Sequence, residues 1–186
     1  MGILNRILKG RQKHLTFRGI EIDGPISIFK TKMQELGYSE VYEDEETGSM
    51  VFEGIFSGRE GCNISVIYSK KIEKVYRVEV YFPAENNSEI LQKDYLLYKQ
   101  HLSEKYGEPS VSYEMNRPEY KFEEIDLIQG IRENKSIYCS VYESPLGHIV
   151  VQIVNKMSGV RLKIGYEDLC NQKLYEMSKK EVFGDL

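Results

Sequence analysis

The chain has 186 residues, of which 41% are hydrophobic and 29% charged, the balance of one folded globular domain. Its formal net charge of −4 disfavours nucleic acid as a partner, because phosphate binding depends mainly on clustered Lys and Arg. Three cysteines without C-x-x-C spacing argue against a zinc ribbon or a disulfide framework and favour a reducing compartment. No apolar run is long enough for a transmembrane segment. We therefore expect a cytoplasmic protein.

The first elements follow a basic lead segment at residues 1–14. Alternation predicts a strand at residues 15–22, after which Asp23 is suited to cap a helix and Pro25 to occupy its first turn. Apolar residues at helical spacing continue the helix, and Gly37 supplies a left-handed stop. These apolar residues are Ile26, Phe29, Met33 and Leu36.

The remaining elements give an order of one helix followed by four strands, which occurs twice along the chain. Four strands are predicted at residues 38–43, 50–57, 62–69 and 74–82, and their short connections permit antiparallel neighbours only. A second helix spans residues 88–106 and is ended by Gly107. Four more strands are predicted at residues 110–114, 136–143, 148–155 and 160–167. A short extra helix lies within residues 119–134, and a polar tail begins with a helical turn.

The pattern predicts a single α+β domain at residues 15–186, with antiparallel sheet(s) built from two similar halves and helices packed on one face. Half one covers residues 15–87, half two residues 88–168, and the C-terminal tail residues 169–186. Residues 51–80 overlay residues 137–166 without a gap, which places Phe52 over Tyr138 and Val78 over Ile164. The alternative is one irregular antiparallel sheet without duplication.

No motif of known chemistry stands out, so we predict no catalytic, cofactor-binding or metal-binding residues. His14, His101 and His148 have no partner at helical spacing. The overlay places Cys62 over His148, so a Cys–His pair depends on how the halves meet.

Two acidic segments have simple structural interpretations. Residues 43–46 (EDEE) are typical of a solvated hairpin tip. Residues 166–168 (YED) close the last strand, where functional residues are common, and Asp168 is suited to cap a terminal helix.

Several segments together resemble an uncharacterised protein family of Bacteroides-type gut bacteria. The segments are residues 19–24 (GIEIDG) with Phe29 and Gly37-Tyr38, residues 52–58 (FEGIFSG), Tyr98 and Leu102 with residues 105–109 (KYGEP), residues 147–153 (GHIVVQI), and residues 166–168 with Asn171. The resemblance implies a bacterial protein and no established activity. The halved layout is also similar to that of tandem-repeat β-lactamase inhibitor proteins, a likeness of fold alone.

The leading hypothesis is a non-enzymatic binding or protein-interaction domain that uses the open sheet face or the junction of the halves. One alternative is an enzyme with a pocket at that junction, holding residues such as Tyr166, Asp168 or His148. Another is an acidic immunity- or inhibitor-type protein that uses residues 43–46. A protein partner is expected under the leading hypothesis, whereas the pattern identifies no small-molecule ligand.

Overall fold

The computed structural model describes residues 14–157 and 159–183; the lead segment lies outside this part except for His14. Within these residues the strands are β1 (Thr16–Phe17), β2 (Ile20–Glu21), β3 (Ser39–Asp44), β4 (Ser49–Phe56), β5 (Arg59–Ser69), β6 (Lys74–Tyr81), β7 (Val111–Asn116), β8 (Ser136–Ser144), β9 (Gly147–Lys156) and β10 (Gly159–Asp168). The helices are α1 (Ile26–Glu35), α2 (Ser88–Tyr106), α3 (Leu127–Arg132) and α4 (Leu169–Phe183), and a 3₁₀ turn spans Pro118–Tyr120.

Strands β3 to β10 form one antiparallel sheet, in the order β3-β4-β5-β6-β10-β9-β8-β7. The sheet has β6 and β10 at its centre and β3 and β7 at its edges. Strands β1 and β2 form a separate hairpin. The predicted α+β class with an antiparallel sheet is confirmed, and the eight long strands lie within a few residues of their predicted positions.

Helix α2 has the predicted bounds because both of its ends are encoded locally. The Asn87 side chain accepts hydrogen bonds from the N–H groups of Glu89 and Ile90 at the start, and Gly107 has a positive φ of 86° at the end. Its buried stripe packs on the sheet, where the Tyr95 hydroxyl hydrogen-bonds that of Ser140 at 2.7 Å. Among the described residues, no helix is long and apolar enough to cross a membrane.

The two faces of the sheet differ sharply in burial, as alternation requires. One face, which we call the covered face, carries fully buried residues such as Val78, Val80 and Ile149, and the buried residues of α1, α2 and α3 join the same core cluster. The opposite face, which we call the open face, carries the alternate side chains of the same strands. Helix α4 contacts one end of the sheet, where Tyr175 stacks on Tyr76 with ring centroids 4.5 Å apart.

Three local predictions are wrong or incomplete. The predicted strand at residues 15–22 is a hairpin, because Arg18 and Gly19 both have positive φ and turn the chain back. Asp23 does not cap α1; its carboxylate instead accepts a hydrogen bond from the Lys74 ammonium at 2.6 Å. The tail is a helix of 15 residues, much longer than the single turn predicted.

The gapless overlay of the two halves is also wrong in register. Phe52 pairs with Ile64 on the covered face, but their overlay counterparts Tyr138 and Val150 lie on opposite faces of β8 and β9. The cause is local, since β4–β5 and β5–β6 each contain a β-bulge that β8–β9 and β9–β10 lack.

Candidate functional site

The open face combines an apolar area with a charged centre. Strands β7, β8 and β9 contribute three cross-strand rows, in which every side chain is uncharged and all but that of Gln152 are largely apolar. We call these rows the apolar patch: Val111, Val141 and Val150; Tyr113, Cys139 and Gln152; and the pair of Met115 and Ile137, with Val154 next after Gln152 on the same face of β9. The β7 members are 40–54% exposed and the others are half-buried, so the patch is accessible to a partner.

Beside the apolar patch, Gly165 leaves a gap in the middle of β10. Its register places it between Glu79 of β6 and Val150 of β9. A Cβ added at Gly165 would meet no heavy atom within 4 Å, so no other part of the described chain fills the space. The result is a cavity of about 210 Å³, which we call the Gly165 notch. It is lined by Arg77, Glu79, His148, Val150, Gln152, Lys163, Gly165, Tyr166 and Glu167.

One wall of the notch is formed by Glu79 and Lys163, which belong to a hydrogen-bonded network on β6, β9 and β10. The Tyr81 hydroxyl donates to one oxygen of Glu79 at 2.6 Å, and the Lys163 ammonium donates to the other at 3.0 Å. The Lys156 ammonium donates to the Tyr81 oxygen at 2.8 Å and lies 4.8 Å from the centre of its ring. Tyr81 is therefore only 1% exposed although it lies on the open face.

This network fixes the charge state of Glu79. Burial acts to raise the pKa of Glu79, but the Tyr81 hydrogen bond and the charge of Lys163 outweigh burial and lower the pKa below its ordinary value. Burial, together with the hydrogen bond to Glu79, raises the pKa of Tyr81. Glu79 is thus an anion and Tyr81 a neutral phenol at neutral pH.

The other end of the notch is a row formed by Arg77, Glu167 and His148. The Arg77 guanidinium and the Glu167 carboxylate form an ion pair at 2.5 Å, and His148 lies opposite Glu167 on β9. Both carboxylates of the notch are therefore ion-paired with cations of the same chain. The arrangement forms a preorganised polar rim around a small uncharged floor.

The chemistry of this site suits binding better than catalysis. A cavity of about 210 Å³ is smaller than the roughly 300 Å³ at which pockets for drug-sized ligands begin. A general acid at neutral pH needs a raised carboxyl pKa, whereas that of Glu79 is lowered. A single inserted side chain fits the size of the notch.

A second polar cluster, centred on Asp168, connects the start of the described chain to α4. The fully buried Asp168 carboxylate accepts hydrogen bonds from the N–H groups of Leu15 at 2.7 Å and Asn171 at 2.9 Å, and His14 Nδ1 lies 3.1 Å from it. Asp168 thus caps α4, as predicted, and also holds the start of the described chain.

Asp23 completes this cluster with Asn171. The Asn171 side-chain amide donates to Asp23 at 3.0 Å and to the Ile22 and Val75 carbonyls. Burial acts to raise the pKa of Asp23, but the Lys74 hydrogen bond and the Asn171 hydrogen bond lower it overall. The cluster joins the N-terminal segment, β6 and α4, which is a structural role.

The structure separates the residues of the enzyme hypothesis. Tyr166 packs edge-on against Phe17 on the covered face, and Asp168 follows it on the same face of β10. His148 lies on the open face; Tyr166 and His148 both line the Gly165 notch but Asp168 does not, so the three residues do not share one pocket. The Cys–His pair fails for the same reason, because Cys62 is fully buried on the covered face. Within the described residues no group of His, Cys, Asp and Glu is arranged to hold a metal.

The acidic run ends β3 with Glu43 and Asp44 and enters the turn before β4 with Glu45 and Glu46, so only its second half lies in the predicted hairpin tip. Glu43 accepts a hydrogen bond from the Tyr68 hydroxyl, and Glu45 pairs with Lys70 at 2.6 Å. Asp44 accepts hydrogen bonds from the N–H groups of Glu46 and Thr47. Three of the four acids therefore have partners within the chain.

The sequence reasoning missed the notch, although a signal was present. In residues 163–167 (KIGYE), Gly165 stands in phase with Lys163 and Glu167, where a strand with one wet face should carry a side chain. A glycine within a strand often marks a bulge, a tight bend, or a site where a ligand or another backbone approaches closely. Comparisons of the chain with family models, curated proteins and solved structures found no match.

Proposed function

We propose that the protein is a non-enzymatic binding domain that recognises another protein through the open face of its sheet. The observation that carries the proposal is the Gly165 notch beside the apolar patch on that uncovered face. Protein interfaces typically combine an apolar core, anchor pockets for large side chains and a polar rim. The open face offers all three.

Gly165 supports binding because the described fold does not require a glycine at this position. A strand glycine costs roughly 0.5–1 kcal/mol relative to alanine, and β10 shows no register shift at which a glycine would be required. Gly54 provides a contrast, since the ring of Tyr38 occupies the space where its Cβ would lie. A partner's aromatic side chain would fill the notch as Tyr38 fills the gap at Gly54.

The predicted two-half organisation is part of this proposal. Each set of four strands follows one helix, and β6 and β10, the last strand of each set, meet at the sheet centre. The notch lies at this junction. The element order supports duplication of a helix-plus-four-strand unit, with the registers diverging through the two bulges of the first half. The resemblance to the uncharacterised bacterial family stays a prediction, and it is compatible with such a binding domain.

Site-specific photo-crosslinking in the source organism tests the proposal. A photoreactive benzoylphenylalanine in place of Val150 lies beside the notch, whereas in place of Leu97 it lies on α2, where that residue is 46% exposed. We expect a discrete crosslinked species containing a second protein from position 150 only. Equal crosslinking from both positions, or none from position 150, would contradict the proposal.

A further inference from the structure

Strand β7 is an edge strand that lacks three of the features that usually prevent edge pairing, namely a bulge, a proline and a lysine. It forms six consecutive pairs with β8 without a bulge, and residues 111–116 contain neither proline nor lysine. Its open-face side chains, Val111, Tyr113 and Met115, are 40%, 46% and 54% exposed. Natural sheets blunt such edges with bulges, charges or short strands, because an exposed flat edge pairs with other strands.

The opposite edge strand, β3, carries features that oppose pairing with another strand. Strand β3 contains a bulge between Glu40 and Tyr42, and it carries Glu40, Glu43 and Asp44. It leads directly into the acidic hairpin tip. Bulge and charge both oppose the addition of a strand at β3, so the two edges are not equivalent.

The backbone of β7 leaves hydrogen-bonding groups directed outward. The Arg117 N–H donates to the Lys135 carbonyl at 2.7 Å, which continues the ladder between β7 and β8. Because bonded pairs alternate along an antiparallel ladder, Met115 and Tyr113 bond to β8, and the N–H and C=O groups of Ser112 and Glu114 face away from it.

We propose that β7 pairs with β7 of a second copy of this chain, antiparallel about a two-fold axis at Tyr113. This register sets the outward backbone groups of Ser112 opposite those of Glu114 in the partner copy, as an antiparallel ladder requires. It also sets Val111 opposite Met115 and one Tyr113 beside the other on the open face. The single acid of the strand meets a serine, so no like charges are opposed.

Other symmetric registers fit less well. An axis at Glu114 would place two glutamates directly opposite each other, which is destabilising in a sheet. The ion pair between Lys99 and Glu114 lies on the covered side and is compatible with the Tyr113 axis. The pairing joins the two sheets into one and makes the apolar patches of the two copies continuous. It does not depend on the proposed function, because it uses the edge rather than the notch.

Sedimentation equilibrium from 1 to about 200 µM tests the pairing. We expect the wild-type mass to rise toward twice the 21.7 kDa of one chain. Tyr113→Lys introduces charge repulsion on the axis and should raise the dissociation constant at least tenfold. Tyr42→Lys is the matched control, because Tyr42 is a 59% exposed tyrosine of the open face on the other edge strand, and it should leave the dimer intact.

The variant Glu114→Pro distinguishes pairing through the backbone of β7 from association through the side chains of the apolar patch. Proline is tolerated on an edge strand where the N–H faces outward, so this change removes a central donor and keeps the open-face side chains. We expect a folded monomer by circular dichroism and sedimentation. The proposal is overturned if the wild type stays monomeric over the whole range. It is also overturned if Tyr42→Lys dissociates the dimer as strongly as Tyr113→Lys, or if a folded Glu114→Pro still dimerises.

Discussion

Replacing Asp168 with alanine is expected to lower the free energy of unfolding by about 4 kcal/mol. The Asp168 side chain is fully buried and accepts hydrogen bonds from the Leu15 and Asn171 N–H groups. Its removal leaves both donors buried without an acceptor, and each such group costs roughly 1–3 kcal/mol. Urea unfolding followed by circular dichroism measures the change.

Asp44→Ala is the control for this prediction. The Asp44 carboxylate also accepts two backbone hydrogen bonds, from Glu46 and Thr47, but it does so at an exposed turn where water can replace it. We expect a loss of about 1 kcal/mol or less. A change below 1 kcal/mol for Asp168→Ala would show that the buried cluster does not hold the N-terminal segment to α4.

Gly147→Ala is expected to cost about 3 kcal/mol, whereas Gly165→Ala should be neutral or stabilise by up to about 1 kcal/mol. A Cβ at Gly147 would lie 2.0 Å from the Glu167 carbonyl oxygen, and its other near neighbours are also backbone atoms, so β9 and β10 must separate. A Cβ at Gly165 meets open space.

The same urea titration compares the two glycine variants. Gly147 and Gly165 lie on neighbouring strands, so the comparison holds the general environment constant. A loss at Gly165 comparable to that at Gly147 would mean that the fold requires this glycine. The binding interpretation of the notch would then lose its main support.

Local signals explain how much of the fold was predictable. The helix over Ser88–Tyr106 is encoded by Asn87 at its start, an apolar stripe and Gly107 at its end, all of which are visible in the sequence. Strand alternation likewise identified the eight long strands. The short connections also predicted antiparallel pairing of consecutive strands. The pairing of β6 with β10 was not predictable, because it joins residues far apart in sequence and no local pattern encodes it.

The errors also have physical causes. Asp23 has the residue type of a helix cap, but Lys74, distant in sequence, forms an ion pair with it. The gapless overlay failed because a bulge shifts side-chain phase by one residue without leaving a clear mark in the sequence. The candidate site was missed because a cavity is made by an absent side chain, and its walls come from β6, β9 and β10.

The most direct test of the account is recovery of protein partners by tagged wild-type chain and by a Gly165→Phe variant, with quantitative mass spectrometry. Phenylalanine fills the notch from within, and open space above Gly165 allows the variant to fold. Phe122→Ser, which changes a 90% exposed side chain in the loop after β7, is the control. We predict that proteins recovered by wild type and by Phe122→Ser fall at least tenfold with Gly165→Phe. Recovery of the same proteins in equal yield by a folded Gly165→Phe variant would contradict the account.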